Sequence, residues 1–141
     1  MKNIIMATLI CLASTTGSMA SSVSQSEKKC MADVIYSEAR GESRKGQEAI
    51  AQVVMNRVKS GVFPSSVCGV IRQRGQFAPQ SRVSEHGAYN QAQVVAENVI
   101  SGKTADHVNG ATYFHTPAVS PSWSRKFVRT TRIGSHIFYR R

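Results

Sequence analysis

Helical periodicity runs through the first two thirds of this chain, stops at Gly102 and does not return. That change restricts the fold more than any other feature. A first helix fits 27–40, capped by Ser26, with Cys30, Val34, Ile35 and Glu38 near helical spacing and Gly41 as its stop. Ser43 can cap a second helix over 44–59, whose buried stripe is Ile50, Ala51, Val54, Met55 and Val58, with Gly61 beyond it. A short helix fits 66–72. The stretch 73–83 holds Gly75, Pro79 and few apolar residues and reads as a loop. A further helix fits 84–101, with Ala88, Ala92, Val95 and Val99 inward. The segment 111–116 is short and aromatic, and 127–133 and 136–140 are β-rich, joined by Gly134-Ser135, a pair suited to a tight hairpin. The expected fold class is α+β, helices first and a small antiparallel sheet last.

The first 20 residues read as something other than fold. Lys2 gives a positive start, an apolar run follows over 4–13, and Ser18 and Ala20 place small residues before a cut after Ala20. That order is a secretory signal peptide, and the run is too short for a transmembrane span. The serine-rich 21–28 reads as a flexible lead and 29–141 as one domain. Without Lys2 the chain keeps 17 basic and 8 acidic residues. For an exported protein that surplus favours anionic wall polymers or outer-membrane lipid as partners. No interleaved aromatic and basic platform of the RNA-binding kind is present, so nucleic acid is not expected. A monomer is expected. Cys30 and Cys68 remain after the signal, in a compartment where disulfides persist; one bridge or two buried thiols are both open.

The densest polar cluster is Tyr36-Ser37-Glu38-Ala39-Arg40-Gly41-Glu42, at the end of the first helix. A glutamate there can project into a cleft from an anchored helix. Partial burial disfavours a carboxylate's charge, which lets the group deliver a proton to a leaving oxygen. A surface pair with Arg40 or Arg44 is the commoner fate of such a residue. Glu42 would share a face with Glu38 if the helix continued, and could then join a carboxylate pair. Gly41 argues for a structural role at the start of the second helix instead. Gln76 follows a glycine in a loop, where its amide could reach sugar hydroxyls. Tyr113 and Phe114 must face opposite ways on a strand, and Tyr113 is assigned to the cleft. Trp123 could stack on a sugar or plug the core.

The segment YSEARGESRKGQEAIAQVVMNRVKSGVFPSSVCGVI, then GQF at 75–77, ATYF at 111–114 and TTRIGSHIFY at 130–139, closely resembles the SleB-like cell wall hydrolases, the spore-cortex-lytic type. Separated motifs in the right order make chance a poor explanation. The resemblance implies a lysozyme-like catalytic domain related to lytic transglycosylases, with no cofactor and no metal. Its substrate is peptidoglycan, cut at the β-1,4 bond between N-acetylmuramic acid and N-acetylglucosamine. Glu38 would be the catalytic acid, and Gln76, Tyr113 and Glu42 would contact substrate. The family cysteine before QF is Gly75 here, which leaves Cys30 as the partner for Cys68. Three alternatives stand: a water-using muramidase with Glu42 as second carboxylate, a non-catalytic wall-binding module, and a zinc amidase or peptidase. For the last, His86, His107, His115, His136, Asp106 and Glu85 are available but form no close ligand spacing.

Overall fold

The protein is described here by a computed structural model covering residues 23–141. The signal peptide read over 1–20 therefore lies outside the described residues. Four helices come first, α1 (Gln25–Ala39), α2 (Arg44–Lys59), α3 (Val67–Ile71) and α4 (His86–Ile100). A sheet of β1 (Tyr113–His115), β2 (Val128–Ile133) and β3 (His136–Arg140) follows, with a single 3-10 turn at Ser122–Arg125 between β1 and β2. All strand pairs are antiparallel, in the order β1-β3-β2. The α+β order expected from the sequence is the order observed.

Two helix starts differ by two residues. Helix α1 begins inside the segment read as a lead, because Ser24 rather than Ser26 is the cap: its hydroxyl accepts the Glu27 N–H at 3.2 Å. An Ncap serine satisfies one of the orphan amides of a first turn, so the helix starts where that acceptor sits. Helix α4 starts at His86 rather than 84, since the Ser84 and Glu85 amides donate to the Tyr36 hydroxyl at 3.1 and 3.2 Å. Ser43 caps α2 as expected, and Ser66, read as the first residue of the third helix, is instead its cap.

Helix α2 lies between two apolar clusters. Ala51 and Val54 pack with α1, α3 and α4, while Ala49, Ile50 and Val53 pack under the sheet with Val108, Ile133 and Phe138. A single amphipathic stripe predicts one buried face; this helix buries two. Phe138 is fully buried, worth roughly 2–3 kcal/mol in removed apolar surface. Cys30 and Cys68 are joined by a disulfide that ties α1 to α3 across 38 residues. Closing a loop of this length removes unfolded-state entropy worth about 4 kcal/mol in the chain-entropy account.

The β2–β3 hairpin turns at Gly134-Ser135, with Ile133 opposite His136. Gly134 has φ +56°, and a Cβ there would collide with the Glu42 carboxylate. Only glycine meets both demands. The turn is thereby fixed to the corner between α1 and α2.

Candidate active site

Glu38 sits one residue before the end of α1, half-buried, on the wall of a cleft of about 440 Å³. The cleft lies between this helix end, the 73–83 loop, β1 and the 3-10 turn. Its lining includes Arg57, Gln76, Tyr113, His115, Trp123 and His136. Glu38 is the only carboxylate on that lining among the described residues. Its Oε1 accepts the backbone N–H of Ala78 at 2.5 Å, and Ser37 beside it accepts the N–H of Ser81 at 2.9 Å. The loop thus clips onto the last turn of α1 and fixes the Glu38 rotamer. With Oε1 occupied by a donor, a proton to be delivered must sit on Oε2. Arg40, the rival partner, instead donates to the Tyr36 hydroxyl at 2.9 Å and pairs with Glu85 at 3.4 Å.

Tyr36 anchors this helix end from beneath. Its ring is buried, and its oxygen accepts from Arg40 and from the Ser84 and Glu85 amides. The Ser84 hydroxyl at 3.4 Å first, then these donors, hold its phenol down at about 8.

Glu42 is placed elsewhere. Its Oε1 accepts from the Ser135 hydroxyl and, at 3.3 Å, from the Ser135 N–H, and lies 3.7 Å from His136 Nδ1. It does not line the cleft. Its carboxylate fixes the hairpin rather than the start of α2, whose first-turn amide at Gly46 is satisfied by the Ser43 hydroxyl.

Gln76 and Tyr113 both line the cleft, and Arg57, which sequence reasoning passed over, organises them. Arg57 is buried on α2, donates from Nε to the Thr112 carbonyl at 2.7 Å and from a terminal nitrogen to Gln76 Oε1 at 3.1 Å. Its guanidinium lies 4.8–5.4 Å from the rings of Phe63, Phe77 and Tyr113. Burial pulls it down to about 10, so it stays charged at neutral pH. With its oxygen held by Arg57, Gln76 presents its amide nitrogen to the cleft. Tyr113 and Trp123 lie 5.2 Å apart in one aromatic wall with Phe127. Trp123 is half-buried on the cleft lining, packed against Tyr113, His115, Phe127 and Tyr139.

His136, also unassigned from sequence except as a possible metal ligand, is 3% exposed. Its Nδ1 has no hydrogen-bond partner among the described residues. The available signal was its alternation with Phe138 on the core side of β3. Burial pushes its pKa below the usual imidazole range, opposed by Glu42 and Glu38. The unfolded chain therefore binds this proton more readily than the fold does. Stability is full above about pH 6.5, falls as pH drops, and the loss is complete below the folded-state pKa. Thermal melts of wild type and His136→Gln across pH 5–8 should diverge, wild type losing more stability towards acid (roughly pH 5 against 8). Parallel curves would refute that account.

The remaining histidines serve other contacts. His107 meets Glu48 at 2.8 Å, His115 meets the Tyr139 hydroxyl at 3.0 Å, and His86 is exposed at the start of α4. No three His, Cys, Asp or Glu side chains converge as metal ligands among the described residues. A second hollow, about 460 Å³, lies across the 73–83 loop and is lined by Asp33. That carboxylate is already held by Lys29 at 2.7 Å and the Tyr89 hydroxyl at 2.8 Å, which leaves it poorly placed to deliver a proton.

Residues 41–139 match the model of the Cell Wall Hydrolase family. Glu42, Gln76 and Tyr113 fall within that span and Glu38 three residues before it. The chain is 36% identical over 124 residues to the spore cortex-lytic enzyme of Bacillus subtilis (strain 168) and 36% over 120 residues to that of Halalkalibacterium halodurans. Each alignment covers 82% of this chain, which spans only 38% and 35% of those relatives' lengths. Among solved structures, the catalytic domain of the Bacillus cereus SleB protein matches with TM-score 0.71 and 29% identity, covering 85% of this chain and 94% of that one. The catalytic domain of the germination-specific lytic transglycosylase SleB from Bacillus anthracis matches with TM-score 0.72 and 31% identity, covering 85% and 98%. The fold is thus that of SleB catalytic domains, a lysozyme-like one, and on the matched span the chain belongs to the cell wall hydrolase family.

Proposed function

We propose that this chain cleaves peptidoglycan glycan strands as a lytic transglycosylase, with Glu38 as its single acid-base. The observation that carries the reading is the lone carboxylate on an aromatic-walled cleft, its Oε1 fixed by a backbone amide. Glu38 protonates the oxygen bridging N-acetylmuramic acid to N-acetylglucosamine from Oε2, and the bond to the muramic anomeric carbon breaks. The ionised carboxylate then takes the proton of the muramic 6-hydroxyl, whose oxygen bonds to the anomeric carbon. The product is a 1,6-anhydro sugar and no water is consumed. Gln76 and Tyr113 hold the sugars, by amide donation and by ring contact. The likeness to a structure described as a lytic transglycosylase supports this chemistry.

The water-using alternative needs a second carboxylate with room for water between the pair. The engagement of Glu42 with Ser135 speaks against that geometry. Such a substrate lies outside the cytoplasmic membrane, which accords with export by the segment read over 1–20. Mass spectrometry of digested sacculi tests the chemistry: muropeptides should end in anhydromuramic acid. Reducing ends, heavier by one water, would reverse it.

A further inference from the structure

The eight acidic residues all fall between Glu27 and Asp106, whereas Arg125, Lys126, Arg129, Arg132, Arg140 and Arg141 crowd the last 17 positions. All six are exposed, and none takes part in an ion pair among the described residues. The strand register says where two of them point. Arg129 lies opposite Tyr139, which lies opposite Tyr113; Arg132 lies opposite Ile137, which lies opposite His115. Residues directly opposite share a sheet face. Two rows therefore cross the sheet, each starting at an arginine on edge strand β2 and ending at a residue of the cleft wall on β1. Two strand spacings separate the ends, roughly 10 Å. Arg125 and Lys126 flank the same face from the end of the 3-10 turn, whose Trp123 packs against Tyr139 at 5.4 Å.

Resting on the reading of the cleft as a glycan site, we propose that this arginine face binds free carboxylates on the peptide branches of the strand being cut. A sugar backbone in the cleft offers these cations no counter-charge. Side branches reaching about 10 Å from that backbone arrive at Arg129 and Arg132. Guanidinium matches carboxylate with two parallel hydrogen bonds, which fits a face carrying Arg129 and Arg132 with Arg125 and Lys126 at its flank. The face tunes capture of the substrate rather than bond cleavage, because its charges lie two strands from Glu38's side of the sheet.

The test uses sacculi with native carboxyls and the same sacculi with carboxyls amidated. An Arg129→Gln/Arg132→Gln double variant should need about fivefold more native sacculi for half-maximal lysis, with turnover at saturation and melting temperature held. Wild type on amidated sacculi should show the same rise, and the double variant no further one. Co-sedimentation of Glu38→Gln protein, with and without the arginine changes, reads binding without chemistry. If that variant still lyses walls, the acid assignment falls while the binding comparison stands. The arginine proposal is overturned if the double variant saturates like wild type, or if wild type ignores amidation. It is equally overturned if the arginines govern binding to anionic phospholipid vesicles and not to sacculi.

Discussion

Glu38→Gln should lower wall lysis by on the order of 10³-fold while leaving the fold intact. The amide is nearly isosteric and its oxygen can still accept the Ala78 N–H, so the clip between α1 and the 73–83 loop survives. What is lost is a proton to give and a base to take one back, and a mechanism with one carboxyl loses both steps together. Stability should stay within about 0.5 kcal/mol of wild type. Glu42→Gln supplies the contrast. Its carboxylate holds Ser135, so the change should cost about 1 kcal/mol of stability through a weaker charge-assisted bond and leave turnover within about threefold. Turbidity loss of purified sacculi, with melting curves for each variant, decides. Retention of a tenth or more of wild-type activity by Glu38→Gln would remove it as the acid (about a tenth being far above the loss expected of an essential acid). Loss of activity at Glu42 with an unchanged melt would restore the carboxylate pair.

Most of the helices were legible because each start or stop has local chemistry. Ser43 reads as a cap, Gly102 follows the last helix, and the hairpin lies where Gly134-Ser135 interrupts two β-rich runs. Starts at 25 and 86 were not legible for opposite reasons. Ser24 and Ser26 are both competent caps, and only the position of the Glu27 amide chooses between them. The start of α4 is set by Tyr36, 48 residues away in sequence. The site divides along the same line. Glu38, Gln76 and Tyr113 sit in motifs continuous along the chain, and the structure brings all three to one cleft. Glu42 shares that motif but its side chain leaves for the hairpin, a contact spanning 93 residues that no local pattern encodes. Arg57 and His136 were hidden by their apolar settings. Arg57 continues the Val53 and Val54 positions at helical spacing, where a buried stripe predicts a hydrophobe. A polar residue at a core position was itself the signal, since burying one is costly unless it is used.

Arg57 gives the second large effect, one in which stability and activity should part company. A shift from its ordinary value to about 10 corresponds to roughly 3 kcal/mol of desolvation opposing the fold. That cost is fully present below the lowered value, throughout the neutral range. Arg57→Met keeps an unbranched stem among Phe63, Phe77 and Tyr113, where a thioether packs well, and removes the buried charge. It also strands the Thr112 carbonyl and frees Gln76, losses of about 1–3 kcal/mol. These terms oppose one another, so the net change in stability should stay within about 2 kcal/mol. Activity has no such offset. Gln76 loses the contact that turns its amide nitrogen toward the cleft, and Tyr113 loses the cation against its ring. Misplacement of this kind costs about 100-fold in turnover. Arg57→Ala separates packing from charge by adding a cavity, and should lower stability by a further 2 kcal/mol or so without a comparable further loss of activity. The measurements are denaturant melts and sacculus turnover for both variants. If Arg57→Met turns over like wild type, Arg57 is a structural cation alone and Gln76 is held by something else. If activity instead falls only in step with unfolding, the cleft has no separate dependence on this side chain.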